Sequence, residues 1–511
     1  MRKYCTLWPA PGILILSVTL LCSCNRNSGI GEYKEINQYP GISPEYNEIV
    51  IPPNIAPLNF VILEAGKKYS VRVRAGNGTA FSMESGSPVI RYRIKKWKRM
   101  LSDNKGGTIV IDVYVKDGAG QWLKFKPLTL KVAEEEIDNY LTYRLINVGY
   151  VLWRKMGTYQ RNLTSFDEDP IMLNRNTRGN CINCHTYCKN DPDKMVFHMR
   201  EKMGGTIIST GDSVFKINSK TPYTMSPAVY PSWHPDGQHI AFSVDITRQW
   251  FHGVEKRNEV FDQASDLVVY DIKNNVLTTS PLVSTKSRET LPCWSPDGKY
   301  LYYCTAPESN DTLEYDELWY DLVRIPYNTS TNEWGQADTV LRSSRFGKSI
   351  TFPKISPDGK YLIFCLASHG YFTVYNKTSE LYVLNLETMA VYPFPYNSNE
   401  VDSYHSWSAN GRWFVFTSKR IDGLCARPFI AFFGENGEAS RPFVMPQKDP
   451  RFYDSFLNNY NVPELVTGSV ITNRNKLLKA ASGESRPVKF DETVDVDALS
   501  GATHFEQVQL H

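Results

Sequence analysis

Cys181-Ile182-Asn183-Cys184-His185 is the stretch of this chain best equipped for chemistry. Two thiols three positions apart can form thioethers with the two vinyl groups of a porphyrin while the adjacent imidazole reaches the iron. In an exported chain a CxxCH run therefore reads as an attachment site for a c-type haem. Cys181 and Cys184 would be the tethers and His185 the proximal ligand. The competing chemistries are a redox CxxC and a zinc half-site completed by Cys188, although four tetrahedral ligands crowd badly into so short a stretch. A haem that only carries electrons has a second axial ligand, histidine or methionine. His198 and Met195 follow closely enough for a loop to fold over the ring, at about 3.3 Å per extended residue. His198 is the first choice, because it and His185 are the two histidines that precede the repeats described below; Met195 is the alternative.

The elements around this motif begin with a leader. Arg2 and Lys3 give a positive start, Gly12 to Leu21 an apolar run too short to span a bilayer, and Leu21-Cys22-Ser23-Cys24 a small-residue cleavage site. Leu-x-Ser-Cys resembles a bacterial lipobox, which makes residues 1–23 a lipoprotein signal peptide and Cys24 the acylated first residue, followed by a polar tether over 24–35. The chain is then anchored to a membrane rather than threaded through it. No dense acidic run follows Cys24, which favours an outer-membrane anchor facing the periplasm.

Fifty-seven basic against fifty-four acidic residues give a formal charge of +3, so no nucleic-acid footprint is present. Ten cysteines do not make a disulfide framework. With the leader, the lipid site and the haem site removed, Cys188, Cys293, Cys304, Cys365 and Cys425 remain, an odd number lying mostly in apolar strand patterns where buried thiols are common.

Residues 36–134 alternate short β patterns with turn signals, as in Tyr69-Ser70-Val71-Arg72-Val73 before Gly76-Asn77-Gly78, and read as a β-sandwich-like domain. Lys95, Lys96, Lys98 and Arg99 read as a solvated strand end. Ile137, Leu141, Leu145, Val148, Leu152 and Met156 recur three or four apart, so 137–156 is expected to be a helix ended by Gly157, rich in aromatics that include Tyr150 and Trp153. The span 135–204 is thus expected to be a helical haem-attachment segment.

From Gly205 the chain repeats. Pro231-Ser232-Trp233-His234-Pro235-Asp236-Gly237 returns as Pro292-Cys293-Trp294-Ser295-Pro296-Asp297-Gly298, as Pro353-Lys354-Ile355-Ser356-Pro357-Asp358-Gly359, and more loosely as His405-Ser406-Trp407-Ser408-Ala409-Asn410-Gly411. Each copy precedes a β run. Pro-Asp-Gly supplies a preset φ, a side-chain acceptor and a residue free to take positive φ, which is hairpin-turn chemistry. Such repeats with about four strands each read as propeller blades.

These copies resemble the WD40-like repeat of TolB-like six-bladed propellers. Tyr143-Arg144-Leu145-Ile146, Tyr150-Val151-Leu152-Trp153 and Met156-Gly157-Thr158-Tyr159-Gln160-Arg161-Asn162-Leu163, followed by CxxCH, resemble a family of envelope cytochrome-like TolB lipoproteins often labelled cytochrome c biosynthesis proteins. The resemblance implies a mainly β fold in which residues 205–470 form a propeller of five to six blades, with 471–511 as a C-terminal extension. Residues 459–465 would close the structure, and the tail beyond Leu478 is polar enough for part of it to be disordered.

Two functions of different class follow. One is an envelope monohaem cytochrome in electron transfer, its propeller a docking surface for a redox partner protein. The other is a TolB-like binding or scaffold module that holds a protein or glycan, with haem structural or absent. A haem peroxidase-like enzyme is a third; it needs an open distal position and a nearby acid/base, for which His198 could serve although no motif marks it. No nucleophile elbow or phosphate loop occurs, and His234, His239, His252, His369 and His405 show no metal-ligand spacing.

Overall fold

The computed structural model describes residues 30–148, 156–250, 258–308, 316–470 and 473–500, with the side chains of Cys184 and Trp250 outside that description. The leader and Cys24, Tyr150 and Trp153, and His252 all lie outside the described residues. The fold is mainly β, and no described helix is long and apolar enough to cross a membrane.

The N-terminal part pairs a seven-stranded sheet with a three-stranded one. Lys68–Ala75 keeps the expected alternation, burying Tyr69, Val71 and Val73 while Arg72 and Arg74 face water. The basic cluster is not a strand end. Ile94–Ser102 is a helix that buries Trp97, Met100 and Leu101, with Lys95, Lys96, Lys98 and Arg99 on its wet face. The apolar residues three and four apart place one stripe on the core, and Trp97 Nε1 donates to Ile55 O at 3.1 Å.

The remaining strands form six antiparallel sheets arranged in a propeller-like ring. Their inner strands are Ile182–Tyr187, Val229–Trp233, Arg288–Trp294, Ser349–Ile355, Asp402–Trp407 and Asn458–Val466. Each lies beside the next, and Asn458–Val466 touches both Asp402–Trp407 and Ile182–Tyr187, closing the circle. That last strand pairs antiparallel with Tyr140–Asn147, so the end of the chain completes a sheet begun by Tyr140–Asn147, Gly157–Asn162 and Glu168–Leu173.

This corrects two expectations. Residues 140–147 are a strand, not part of a helix over 137–156. Leu141 and Leu145 are four apart, which suits a helix face, but an even spacing also suits one face of a strand, and Tyr143 fills the gap between them. Thr142 and Arg144 on the other face are buried as well, because the strand is covered on both sides. Its β-branched and aromatic residues favour the extended form. The segment 135–204 is therefore not a helical linker, and the ring of sheets starts near residue 140 rather than 205. The CxxCH run is itself the inner strand of a sheet continued by Met195–Met199, Gly205–Ser209 and Val214–Asn218.

The repeat turns are uniform: Gly237, Gly298, Gly359 and Gly411 have φ of 67°, 76°, 76° and 68°. The loose fourth copy departs from Pro-Asp because the N-terminal part docks there. Ala409 N donates to Asp138 Oδ2 at 2.9 Å, a bond that proline cannot make, and Asn410 Nδ2 donates to Glu136 O at 2.7 Å. Beyond the ring, the Arg474–Ser482 helix is followed by Arg486–Pro487 and Lys489–Phe490, which pair parallel with the outer edges of two neighbouring sheets. Over residues 486–490 this polar tail is held to the ring by edge pairing.

Candidate functional site

Each inner strand carries an irregularity at the same place. Pairing with the next strand is interrupted at Tyr230-Pro231, Leu291-Pro292, Phe352-Pro353, Tyr404-His405 and, against Tyr140–Asn147, at Val462-Pro463. Tyr230, Leu291, Phe352, Tyr404 and Val462 all take left-handed φ, between 46° and 55°. A non-glycine residue pays strain there, and bulges of this kind turn side chains out of a ladder. In the motif strand the interruption falls between Asn183 and Thr186. Cys184 thus stands where the other strands have an aromatic or aliphatic residue, and His185 where four of them have proline and one has His405. The left-handed Arg178 and Gly179 reverse the chain just ahead of the motif.

These bulges surround a cavity of about 460 Å³. Tyr230, Phe352, Tyr371, Phe372, Tyr375 and Tyr404 supply an aromatic wall, while Arg144, Arg200, Lys354, Glu201, Glu259 and Glu464 supply charge. Cys181 and His185 both border this space. Cys181 is a partly exposed free thiol. His185 is buried, and burial, together with the nearby Arg144 charge, lowers its pKa to about 3, so the ring is neutral. Its Nε2 lies 3.4 Å from Thr142 Oγ1, a long contact, since Thr142 Oγ1 also donates to Glu464 O at 3.2 Å.

Arg144 donates through Nη1 to Asn183 Oδ1 and, at 3.4 Å, to Ile182 O. Its buried Nε has no hydrogen-bond partner, and among the described residues no carboxylate forms an ion pair with it. Glu464 accepts from Thr186 Oγ1 at 2.9 Å and from Tyr187 N at 3.1 Å, and burial raises its pKa to about 7.

His198 and Met195 lie on Met195–Met199, the strand behind the motif, and neither borders the cavity. His198 is opposite Asn183, its Nδ1 is 3.1 Å from Thr206 Oγ1, and burial first and Arg200 second lower its pKa to about 3. Met195 packs with Ile171, Met172, Tyr187 and Phe197. Cys188 is buried, with its Sγ 3.6 Å from His234 O, and does not border the cavity that Cys181 and His185 share.

Sequence reasoning missed Arg144, Met156, Glu464 and the aromatic wall. The signal was present: an aromatic or aliphatic residue followed by proline recurs just ahead of each Pro-Asp-Gly turn. In donor chemistry the cavity fits a tethered haem: a free thiol and a neutral imidazole from the motif, a thioether at Met156, aromatic faces, and a buried guanidinium lacking an anion.

No protein-family model matches the chain, and no curated protein matches it. Among solved structures it is similar to the Dos1 propeller, with 13% identity over 44% of this chain and 64% of that one, at a TM-score of 0.27. It is also similar to the Cps50 (Swd1) β-propeller domain of Myceliophteria thermophila, with 8% identity over 50% and 66% at 0.31. A third is prolyl oligopeptidase B from Galerina marginata, with 9% identity over 66% of this chain and 42% of that one at 0.33. The chain thus spans less than two thirds of each. These are propeller-bearing neighbours at TM-scores that carry no argument about function; the ring of sheets itself carries the propeller-like description.

Proposed function

We propose that the chain is an envelope lipoprotein, acylated at Cys24, that carries one c-type haem and serves electron transfer with a redox partner in the envelope. In this reading the six sheets are the blades of a TolB-like propeller and the N-terminal part is sandwich-like. Cys181 and Cys184 tether the haem and His185 ligates its iron. The observation that carries the proposal is the company His185 and Cys181 keep. Both border the one cavity that also holds Arg144, a buried guanidinium with an unsatisfied N–H and no carboxylate partner among the described residues. A buried guanidinium left without an anion is costly, and haem propionates are anions of the right chemistry.

When bound, the haem supplies one-electron exchange at a potential set by its axial ligands and its burial. His185 contributes an imidazole that burial keeps neutral, the form that ligates iron. The rings of Phe352, Phe372 and Tyr404 exclude water from the cavity wall. Met156 borders the cavity whereas His198 and Met195 lie behind the motif strand, so the Met156 thioether would help hold the haem where those two side chains would not.

The test is a pyridine haemochrome assay on the mature lipoprotein, made alongside a cytochrome c maturation system. A covalent c-type signal that disappears in Cys181→Ala/Cys184→Ala is expected. Met156→Ala should shift the reduced spectrum, and His198→Ala and Met195→Ala should not. A haem-free protein under conditions that mature a control cytochrome would overturn the reading. The same cavity would then favour the second reading, a binding module whose aromatic wall, with Arg144 and Lys354, takes an anionic or glycan ligand.

A further inference from the structure

The first Pro-Asp-Gly turn differs from its three counterparts at two positions. The others place serine before the turn and an aromatic after it: Ser295 and Tyr300, Ser356 and Tyr361, Ser408 and Trp413. There the serine Oγ donates to the turn residue's Oδ1, at 2.6 Å to Asp297, 2.5 Å to Asp358 and 2.7 Å to Asn410. The first turn has His234 and His239 instead. Asp236 Oδ1 still does the turn's work, accepting from Gln238 N at 2.7 Å and His239 N at 3.1 Å. Its Oδ2 is left over. Two imidazole nitrogens converge on it, His234 Nδ1 at 2.9 Å and His239 Nδ1 at 2.7 Å.

The tautomers make this arrangement informative. His234 Nε2 faces Gly298 O at 3.0 Å, and a carbonyl only accepts, so Nε2 carries the proton. With the proton on Nε2, His234 Nδ1 is an acceptor whose one lone pair is shared between Asp236 N–H at 3.2 Å and the space beside Asp236 Oδ2 at 2.9 Å, so an ion there would displace the amide contact. A neutral His234 then sets one acceptor against another at 2.9 Å, a contact relieved by a second proton on the ring or by a metal ion between the two atoms. On the outer side, Asp271 Oδ2 lies 3.9 Å from His239 Nε2, too far for a direct hydrogen bond. Both rings place Nδ1 against Asp236 Oδ2, and His234 Nε2 bonds a backbone oxygen outside, the second-shell pattern of metal-bound histidine. His234 is further fixed by the edge-on indole of Trp294, at 4.8 Å between ring centroids.

We propose that His234 Nδ1, Asp236 Oδ2 and His239 Nδ1 form a binding site for a divalent transition ion of the zinc class, with water at the remaining position. The three donor atoms lie within 4.8 Å of one another. Bonds of about 2.0–2.1 Å in a tetrahedral shell separate donors by roughly 3.3 Å, so each imidazole nitrogen, now 2.9 and 2.7 Å from Asp236 Oδ2, moves about half an ångström from that oxygen to admit the ion. Two imidazoles and one carboxylate select zinc-like ions over calcium or magnesium, which prefer all-oxygen shells. Lys194, whose ammonium lies over Gly237, is the neighbouring positive charge the ion must tolerate. Because His234 also bonds Gly298 in the next repeat, the ion would pin two adjacent sheets together.

The test uses the full mature chain, stripped with chelator and titrated calorimetrically with Zn²⁺ alone. The decisive variant is His234→Ser/His239→Tyr, which installs the residues its sister turns already use and so respects the fold. The expected result is one Zn²⁺ equivalent per chain in the parent, lost or weakened at least a hundredfold in the variant. Asp271→Asn, which leaves all three donors in place, should weaken binding about tenfold. Equal Zn²⁺ binding by parent and variant, or none by the parent, overturns the proposal.

Discussion

His185 and His405 occupy the same place in two inner strands, border the same cavity and are both held neutral, with pKa values lowered to about 3 chiefly by burial. Their surroundings separate them. His405 Nε2 donates to Ile363 O at 2.8 Å, and its Nδ1 has Cys365 Sγ at 3.9 Å, so its ring is locked to the second strand, Tyr361–Ala367, of the adjacent sheet. His185 meets Thr142 Oγ1, on an adjacent sheet, at 3.4 Å. One imidazole is used up by the fold, and the other is held loosely beside a guanidinium that lacks an anion. Equivalent position in a repeat fixes the backbone and leaves the role to whatever the ring nitrogens find.

Exchanging the two losses gives the largest effects. His405→Ala removes a buried hydrogen bond and opens a void, and should cost about 2–3 kcal/mol in urea unfolding of the haem-free chain, with haem attachment retained. His185→Ala should cost the haem-free chain less than about 1 kcal/mol while abolishing the native reduced spectrum. If the spectrum instead follows His405, the distinction between the two rings is wrong.

The contrast also marks what the sequence could reveal. The Pro-Asp-Gly turns were legible because their chemistry is local: an acceptor side chain two residues before the amide it caps, and a glycine at positive φ. The shared bulge was written as Tyr230-Pro231, Leu291-Pro292, Phe352-Pro353 and Val462-Pro463, but its meaning depends on six strands meeting at one axis. Tyr140–Asn147 was misread because residues 141 and 145 satisfy both a helix face and a strand face. Its partner, Asn458–Val466, lies some three hundred residues away, beyond any local pattern. Arg144 was unremarkable as text; its burial without an anion is a product of packing.

Acid and base should pull on the two sides of this cavity differently. Glu464 has a pKa raised to about 7 by burial, against about 4.3 when unfolded. Its stabilising effect is complete below about pH 4.3 and is lost as pH rises through about 7. His185 and His405, lowered to about 3, act in the opposite sense, fully stabilising above about pH 6.5 and progressively less as pH falls toward 3. Denaturant midpoints should therefore decline on both sides of an intermediate optimum. Glu464→Gln keeps an acceptor for Thr186 and Tyr187 and should flatten the decline between about pH 4.3 and 7. His405→Ala should flatten part of the acid one. An alkaline decline unchanged in Glu464→Gln would assign it to other buried carboxylates such as Glu289, whose pKa burial raises to about 8.

The smallest effect compares two turns instead of two strands. Gly298 and Gly359 share a φ of 76°. An added Cβ at Gly359 meets nothing within 4 Å, whereas at Gly298 it would come 2.4 Å from His234 Nε2. Gly359→Ala should then cost only the backbone term, about 1 kcal/mol. Gly298→Ala carries the same term plus the displacement of His234, and should cost measurably more. Because the two tightest contacts are both to the His234 ring, with Pro235 Cγ next at 3.0 Å, replacing His234 by serine in the Gly298→Ala background should recover most of the excess, whereas His234→Ser should not improve Gly359→Ala. A double-mutant cycle with no coupling between residues 234 and 298 would mean that the neighbouring repeat does not hold this ring in place, and would separate the His234 position from the Gly298 carbonyl that orients it.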